Sequence, residues 1–340
     1  MDPRARVRLG RSKVEVDQLL LGLVPLGNMY KVVPEDEAQA VLQAWWDHGL
    51  RTFDVAPVYG FGIAEERLGR FLADKPRHDF VVSTKVGRPV RAGAPDDPEL
   101  YWPDGTPYFQ GTPEGVRPYY DYTRDGMLWG FEQSLARLGL ERVDYVHMHD
   151  PDDHIRDAIE VVFPTLAELR EQGVIGAIGV GTNFGRVGYP IARECDLDCL
   201  LLAGRYTLVD LEGTQQLLPL CEERGISVIN GGVFNGGFLA DPRIGATFQY
   251  QPTDDRALVD RALRIKKTCE VFGVPIKAAA LQFSMGHRAV AAVVVGAGSV
   301  AHATEIIELF ERPIPDALWD ELLGRGLLPA GTPVPRLGQA

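Results

Sequence analysis

Short apolar runs recur along the chain, separated by longer stretches in which apolar positions return with helical spacing. The runs that read as strands are Leu19–Val24, Arg51–Val55, Phe80–Lys85, Val143–Met148, Ile175–Val180, Cys199–Ala203, Ser227–Asn230 and Ala291–Val295. Most are apolar nearly throughout rather than at every second residue, which is the pattern of strands covered on both faces. The stretches between them read as amphipathic helices. "EDEAQAVLQAWWDHG" opens on acids and closes at Gly49; "DGMLWGFEQSLARLG" closes at Gly139, "AIEVVFPTLAELREQG" at Gly173 and "TQQLLPLCEERG" at Gly225. Acids in a first turn and glycine just past a last turn are helix start and stop signals.

Strand, helix, glycine and strand again, with no hairpin signal between, imply parallel crossovers. Repeated over roughly 300 residues, this predicts an α/β fold, a (β/α)₈ barrel rather than a doubly wound sheet. The expected layout is one domain over 1–340, with the barrel proper at about 17–312. "ARVRLGRSKVEV" precedes it as a short β-hairpin placed to plug the barrel bottom. Two segments depart from the pattern. Residues 88–122, rich in Pro, Gly and aromatics, form a long loop after the third strand, where it would cover the C-terminal face. The tail, 326–340, is expected to be extended and poorly ordered, though long enough to reach the rim.

Composition narrows the functional classes. With 45% hydrophobic and 24% charged residues the chain can bury a large core, and its net charge of −12 argues against a nucleic-acid partner. Four scattered cysteines give neither a disulfide framework nor a full metal-ligand set, so reduced, mostly buried thiols and no metal are expected. The N-terminus lacks an apolar signal core and no apolar run approaches membrane-spanning length, which predicts a cytoplasmic protein without a membrane partner.

"VVVGAGSVAHATEII" contains a G-x-G-x-x-A pattern between a strand and a helix, the outline of a Rossmann fingerprint. It lies too near the C-terminus for a following βαβ unit, and no acid ends a strand about 20 residues on. In a barrel, Gly296, Ala297, Gly298 and Ser299 instead form the loop after the eighth strand, a common phosphate site feeding a helix N-terminus. The adjacent "NGGVFNGGFLA", with Gly232, Val233, Phe234 and Gly236, would let backbone approach the same ligand.

The strand ends supply the chemistry. The second strand ends in Asp54, with Tyr59 just beyond; the third ends in Lys85 and the fourth in His149. A phenol titrating near 10 is a poor base at neutral pH. A nearby ammonium would lower that value, and a buried ammonium needs a counter-charge. Hence Asp54 would steady Lys85, Lys85 would tune Tyr59, and His149 would hold a substrate oxygen against the phenol. His147 shares a strand face with His149 and is expected to be a satisfied core histidine.

At these residues the chain resembles the aldo-keto reductase superfamily. "FDVAPVYGFGIAEERLGRFL" is similar to its D-T-A-x-x-Y-G-x-G-x-S-E signature, and the third-strand lysine and "VDYVHMHDP" match its lysine and histidine motifs. "LVPLGNMY", "DYTRDGMLWGFEQSLARLGL", "LLAGRYTLVD" and "DALWDELLGRGLLP" are similar to the subgroup of aldose 1-dehydrogenases and pyridoxal 4-dehydrogenases. The resemblance implies a catalytic set of Asp54, Tyr59, Lys85 and His149. It also implies hydride exchange between a nicotinamide cofactor and a small carbonyl or alcohol, here a cyclic hemiacetal oxidised to a lactone. The alternatives are a pyridoxal 4-dehydrogenase or a general aldehyde/ketone reductase and, of another class, a cofactor-binding regulatory subunit of the potassium-channel β type, which would keep the same barrel. The resemblance further implies cofactor contacts at Gly22, Leu23 and Tyr206, and carboxamide contacts at Thr182 and Asn183, since Ala203 stands where the family's glutamine would be and a glycine near 231 replaces its stacking tyrosine.

NAD is the expected cofactor in preference to NADP. The positions after the eighth strand carry Gly296 and His302, with Glu305 nearby, and no guanidinium or ammonium to pair an extra phosphate. Asp150, Arg205 and Tyr30 are the expected substrate contacts, polar groups suited to a sugar of the L-fucose, L-galactose or D-arabinose type.

Overall fold

The computed structural model describes residues 1–336, and in it the expected runs close into a barrel. Its strands are β1 (Leu19–Gly22), β2 (Thr52–Asp54), β3 (Val81–Val86), β4 (Tyr145–His149), β5 (Ala177–Thr182), β6 (Cys199–Ala203), β7 (Ser227–Gly231) and β8 (Val290–Gly296). Each pairs in parallel with its sequence neighbour, and β8 pairs with β1 from Val293↔Leu19 to Gly296↔Gly22. β4 and β5 run further toward the top than their apolar runs imply. Thr182 still pairs with Leu202, and His149 with Gly181, because ladder hydrogen bonds continue after the apolar residues stop.

The continuous hydrophobicity of the strands is explained by their two covered faces. In β1, Leu20 packs inward with Val81, Tyr145, Ile229, Ala292 and Val294, while Leu19 and Leu21 join the outer layer between strands and helices. The bottom is closed by the hairpin Arg6–Arg8/Glu15–Asp17, which contributes fully buried Leu9 and Val16 to the inner cluster. Burying two such side chains contributes about 1.5–3 kcal/mol each. The glycine stops hold as well: Gly139 (φ 64°) and Gly225 (φ 66°) end helices Arg124–Leu138 and Leu217–Arg224 in the left-handed conformation. All four cysteines are free and buried.

The 88–122 segment is more regular than its composition implies. An antiparallel pair, Val90–Ala92 with Val116–Pro118, forms its stem, and its Val90, Leu100 and Phe109 pack with Met29, Val58 and Phe61 in a small core over the barrel top. The described part of the tail packs beside the loop after β6. Tyr206 donates to the Pro333 carbonyl at 3.0 Å and Arg336 pairs with Asp320 at 2.8 Å, so the segment docks on the barrel flank; residues 337–340 lie outside the described residues. Among the described residues no helix is long and apolar enough to cross a membrane.

Candidate active site

Three neighbouring strands deliver Asp54, Lys85 and His149 to one mouth. Lys85 Nζ donates to Asp54 Oδ2 at 2.7 Å and to the Val55 carbonyl at 3.0 Å, and both charged side chains are almost fully buried. The other Asp54 oxygen accepts from the Ser83 hydroxyl at 2.6 Å. The pair therefore meets the condition for a buried ion pair, opposite charge plus hydrogen bonds on what remains. Glu65 braces the same corner from below: it accepts from Thr84 at 2.6 Å and from Arg137 at 2.7 Å, tying helix Ile63–Leu72 to β3.

Tyr59 reaches the mouth on a turn that glycine makes possible. An added Cβ on Gly60 (φ 67°) would lie 2.5 Å from the Gly27 carbonyl oxygen, and one on Gly27 would lie 2.6 Å from the Tyr59 carbonyl carbon. Only two glycines let these loops touch, and the contact fixes where the phenol stands. Its ring lies 4.8 Å from Lys85 Nζ and edge-on to the His149 ring at 6.0 Å between centroids. Phe109, from the 88–122 segment, leans over it at 6.3 Å.

The electrostatics correct one expectation. The Tyr59 phenol is pushed well above its ordinary range, first by burial, then by the Asp54 and Asp150 carboxylates, with only Arg88 opposing. The Asp54 carboxylate, 2.7 Å from Lys85 Nζ, offsets the pull of the ammonium on the phenol. Burial also drives His149 well below its usual value, helped by Lys85 and Arg88, so its imidazole is neutral. The 3.6 Å approach of its Nε2 to Asp150 Oδ2 is then a dipolar contact rather than an ion pair. His147 does face inward with His149, but it is not satisfied. Neither ring nitrogen has a partner among the described residues, burial pushes its pKa down to about 3, and Gly179 makes room for it.

These groups line a cavity of about 250 Å³. Tyr59, Lys85 and His149 form its floor, Glu99, Leu100, Tyr108 and Phe109 come from the 88–122 segment, and Thr182, Asn183 and Ala203 form one side. Of the three expected substrate contacts only Asp150 lines it. Tyr30 stacks on Trp102 at 5.5 Å on the outer surface. Arg205 is turned away, pairing with Asp210 at 3.1 Å and donating to the Asn183 carbonyl at 2.6 Å; it braces the wall from behind. The Asn183 amide donates to Asp150 Oδ1 at 3.2 Å, and the Thr182 hydroxyl is held within its own turn by Phe184.

The glycine loops meet where β7, β8 and β1 are neighbours. Gly232, Gly236 and Gly296 are exposed, Gly298 is half-buried, and helix Val300–Glu311 begins beside them with Ser299 Oγ accepting the His302 N–H at 3.3 Å. The accessible glycine backbone leaves room for close approach, while the first N–H groups of the helix already donate to Glu37 and Ser299. Gly22 and Leu23 are buried at the same edge, with the Leu23 N–H donating to the Asp54 carbonyl at 2.9 Å; Val233 and Ala297 are buried, and Phe234 is half-buried. Tyr206 departs from expectation: it is fully buried against Phe283 and His287, with its hydroxyl on Pro333, and offers a cofactor no surface. Ser83, Glu65 and Arg88 were not singled out from the sequence, although Glu65 lies inside the signature segment.

Fold and mouth together define a class, the nicotinamide-dependent barrel oxidoreductases. The chain belongs to the aldo/keto reductase family, whose sequence pattern matches residues 18–323, and is an NAD(P)-dependent oxidoreductase. It is 39% identical to a D-threo-aldose 1-dehydrogenase of Pseudomonas sp, over 91% of this chain and 93% of that one. It is 38% identical to a pyridoxal 4-dehydrogenase of Microbacterium luteolum, over 94% and 97%. Among solved structures, a glycerol dehydrogenase from Gluconobacter oxydans shares the fold with a TM-score of 0.73 at 23% identity, covering 97% of this chain and 98% of that one.

Proposed function

We propose that this enzyme oxidises the C1 hemiacetal of a free aldose of the L-fucose, L-galactose or D-arabinose type to its lactone. The observation that carries the reading is the joint exposure of Tyr59, His149 and Asp150 on one small cavity, with the Lys85–Asp54 pair beneath. Neutral His149 donates to the anomeric oxygen, and Tyr59 removes its proton as the C1–O bond gains double-bond character. The nicotinamide, when bound, accepts the hydride leaving C1. Asp150 and Asn183 offer acceptor and donor to the neighbouring hydroxyls.

A second reading has its own support. Tyr108 and Tyr250 both line the cavity, packed side by side with ring centroids 6.0 Å apart, and Phe109 adds a third ring. Aromatic walls suit the flat ring of pyridoxal, the substrate in one relative's name. Initial rates with L-fucose, L-galactose, D-arabinose and pyridoxal separate the two. The sugar reading expects at least one sugar to exceed pyridoxal in kcat/KM by about tenfold or more; the reverse order replaces it with the second.

We also propose NAD over NADP, by about tenfold or more in kcat/KM. Near the helix that follows β8, Glu37 accepts the Val300 N–H at 3.1 Å, so a carboxylate already holds that helix terminus. Lys277, a cation the sequence did not reveal as a neighbour, is bound to Glu305. Neither arrangement leaves a positive charge for a second phosphate. Parallel titrations of both cofactors at one saturating substrate concentration test this, and a preference for NADP would overturn it.

A further inference from the structure

We propose that Arg88 is a positioning residue that sets substrate affinity, its single guanidinium fastening both legs of the 88–122 segment to Asp150. Arg88 follows β3 directly and is only 6% exposed. Its Nη2 pairs with Asp97 at 2.9 Å on the outgoing leg, and its Nη1 pairs with Asp150 at 3.2 Å. Its plane stacks over the Tyr120 ring at 4.5 Å on the returning leg. Three pieces of chain distant in sequence meet on one side chain.

Each contact controls part of the cavity. Asp97 also caps the short helical turn Pro98–Leu100 by accepting the Glu99 N–H at 3.0 Å, and Glu99 and Leu100 line the cavity. Tyr120 donates to Glu99 at 3.2 Å, closing a ring of contacts around the guanidinium. Asp150 sits in the left-handed backbone region (φ 47°), which aspartate adopts more readily than most side chains and which its contacts fix here. The holders are Arg88, the Asn183 amide on Oδ1 and the Gly181 carbonyl, which accepts the Asp150 N–H at 3.0 Å. A planar fork can serve two carboxylates and an aromatic face at once; an ammonium cannot.

The charge balance has a second consequence. Burial raises the Asp150 carboxyl to about 6, against the pull of Arg88 and Lys85, while Asp152 adds to the rise. Neutral His149 lies against it, Tyr122 donates to the His149 carbonyl, and Tyr59 and Tyr250 line the same cavity. Without Arg88 the carboxyl loses its nearest cation and titrates higher. The form that accepts hydrogen bonds from a sugar then disappears at a higher pH.

The role of Asp150 toward substrate rests on the sugar reading; the fastening does not. The test therefore has two arms on the full-length enzyme, for Arg88→Gln, Arg88→Lys and Asp97→Asn. In the first, amide hydrogen exchange is followed through residues 89–122 with no substrate present. In the second, L-fucose oxidation is measured from about pH 5 to 9. Arg88→Gln should exchange faster around 95–101 and 119–122, raise KM by about tenfold or more with kcat changed less than about threefold, and move the acid limb of kcat/KM to higher pH. Arg88→Lys should restore the acid limb but not the exchange protection, and Asp97→Asn should lose protection on the outgoing leg. Unchanged exchange in Arg88→Gln and Asp97→Asn overturns the fastening. An unchanged KM and acid limb, or a collapse of kcat alone, overturns the affinity role. If Arg88→Gln does not fold, the Lys and Asn variants decide by the same criteria. A wild type that oxidises no sugar defeats the sugar reading, and the exchange arm still judges Arg88.

Discussion

Tyr59→Phe should lower kcat for oxidation by roughly 10²–10⁴-fold while changing NAD affinity by less than about twofold. The substitution removes one oxygen and keeps the ring that packs against Phe109 and His149. The turn that carries it is set by Gly27 and Gly60 backbone contact, which the hydroxyl does not touch. Hence the loss belongs to proton transfer and not to folding. The pH profile should carry the same information. Because burial, Asp54 and Asp150 hold the phenol well above its ordinary range, the deprotonated base is scarce at neutral pH. Oxidation should therefore rise with pH by up to about tenfold per unit, and carbonyl reduction, which uses the protonated phenol as acid, should stay flat and then fall. Steady-state kinetics in both directions, with cofactor binding followed separately by fluorescence, measure all of this. A variant that keeps more than about a tenth of the wild-type kcat would remove Tyr59 from the proposed role.

The barrel was readable because burial on two faces leaves a mark that periodicity analysis can see. Cys199–Ala203 is apolar at every position, and it forms β6 with those same bounds. The helix stops were readable because a left-handed C-terminal residue is nearly always glycine, as at Gly139. Polar groups at the ends of apolar runs pointed to Asp54, Lys85 and His149 through their coincidence on neighbouring strands, since each alone has an ordinary structural reading.

What stayed hidden depends on distance in three dimensions. Arg88 is an unremarked arginine until Asp97 and Asp150 arrive from nine and 62 residues away. Arg205 and Tyr206 stand beside each other in a loop at the barrel top, yet Asp210 and the tail segment draw both away from the cavity. The direction of the Tyr59 shift was misjudged for a related reason. Counting Lys85 as a free cation ignores that the carboxylate needed to bury it also pushes the phenol up. Strand parity put His147 inside correctly, but parity carries no information about whether a hydrogen-bond partner waits there.

The Lys85–Asp54 pair allows stability and catalysis to be separated. Lys85→Met should cost about 3–5 kcal/mol in unfolding free energy, because it leaves the Asp54 carboxylate buried without its cation, and both members are now only 2% and 4% exposed. Turnover should fall as well, by about 10²-fold or more, since the stranded Asp54 carboxylate would oppose the phenolate without the ammonium 4.8 Å from the Tyr59 ring to offset it. Adding Asp54→Leu removes the stranded carboxylate, and replacing a buried ion pair by apolar groups is often neutral for stability. The double variant should thus regain most of the lost unfolding free energy in a denaturant titration. Its kcat should stay low, because burial and Asp150 still hold the phenol up and no ammonium stands beside its ring. Ser83 would lose the acceptor it now has at 2.6 Å, which sets a small ceiling on the recovery. If the double variant recovered turnover along with stability, the pair would be a scaffold only, and the cation would have no part in the proton transfer assigned to Tyr59.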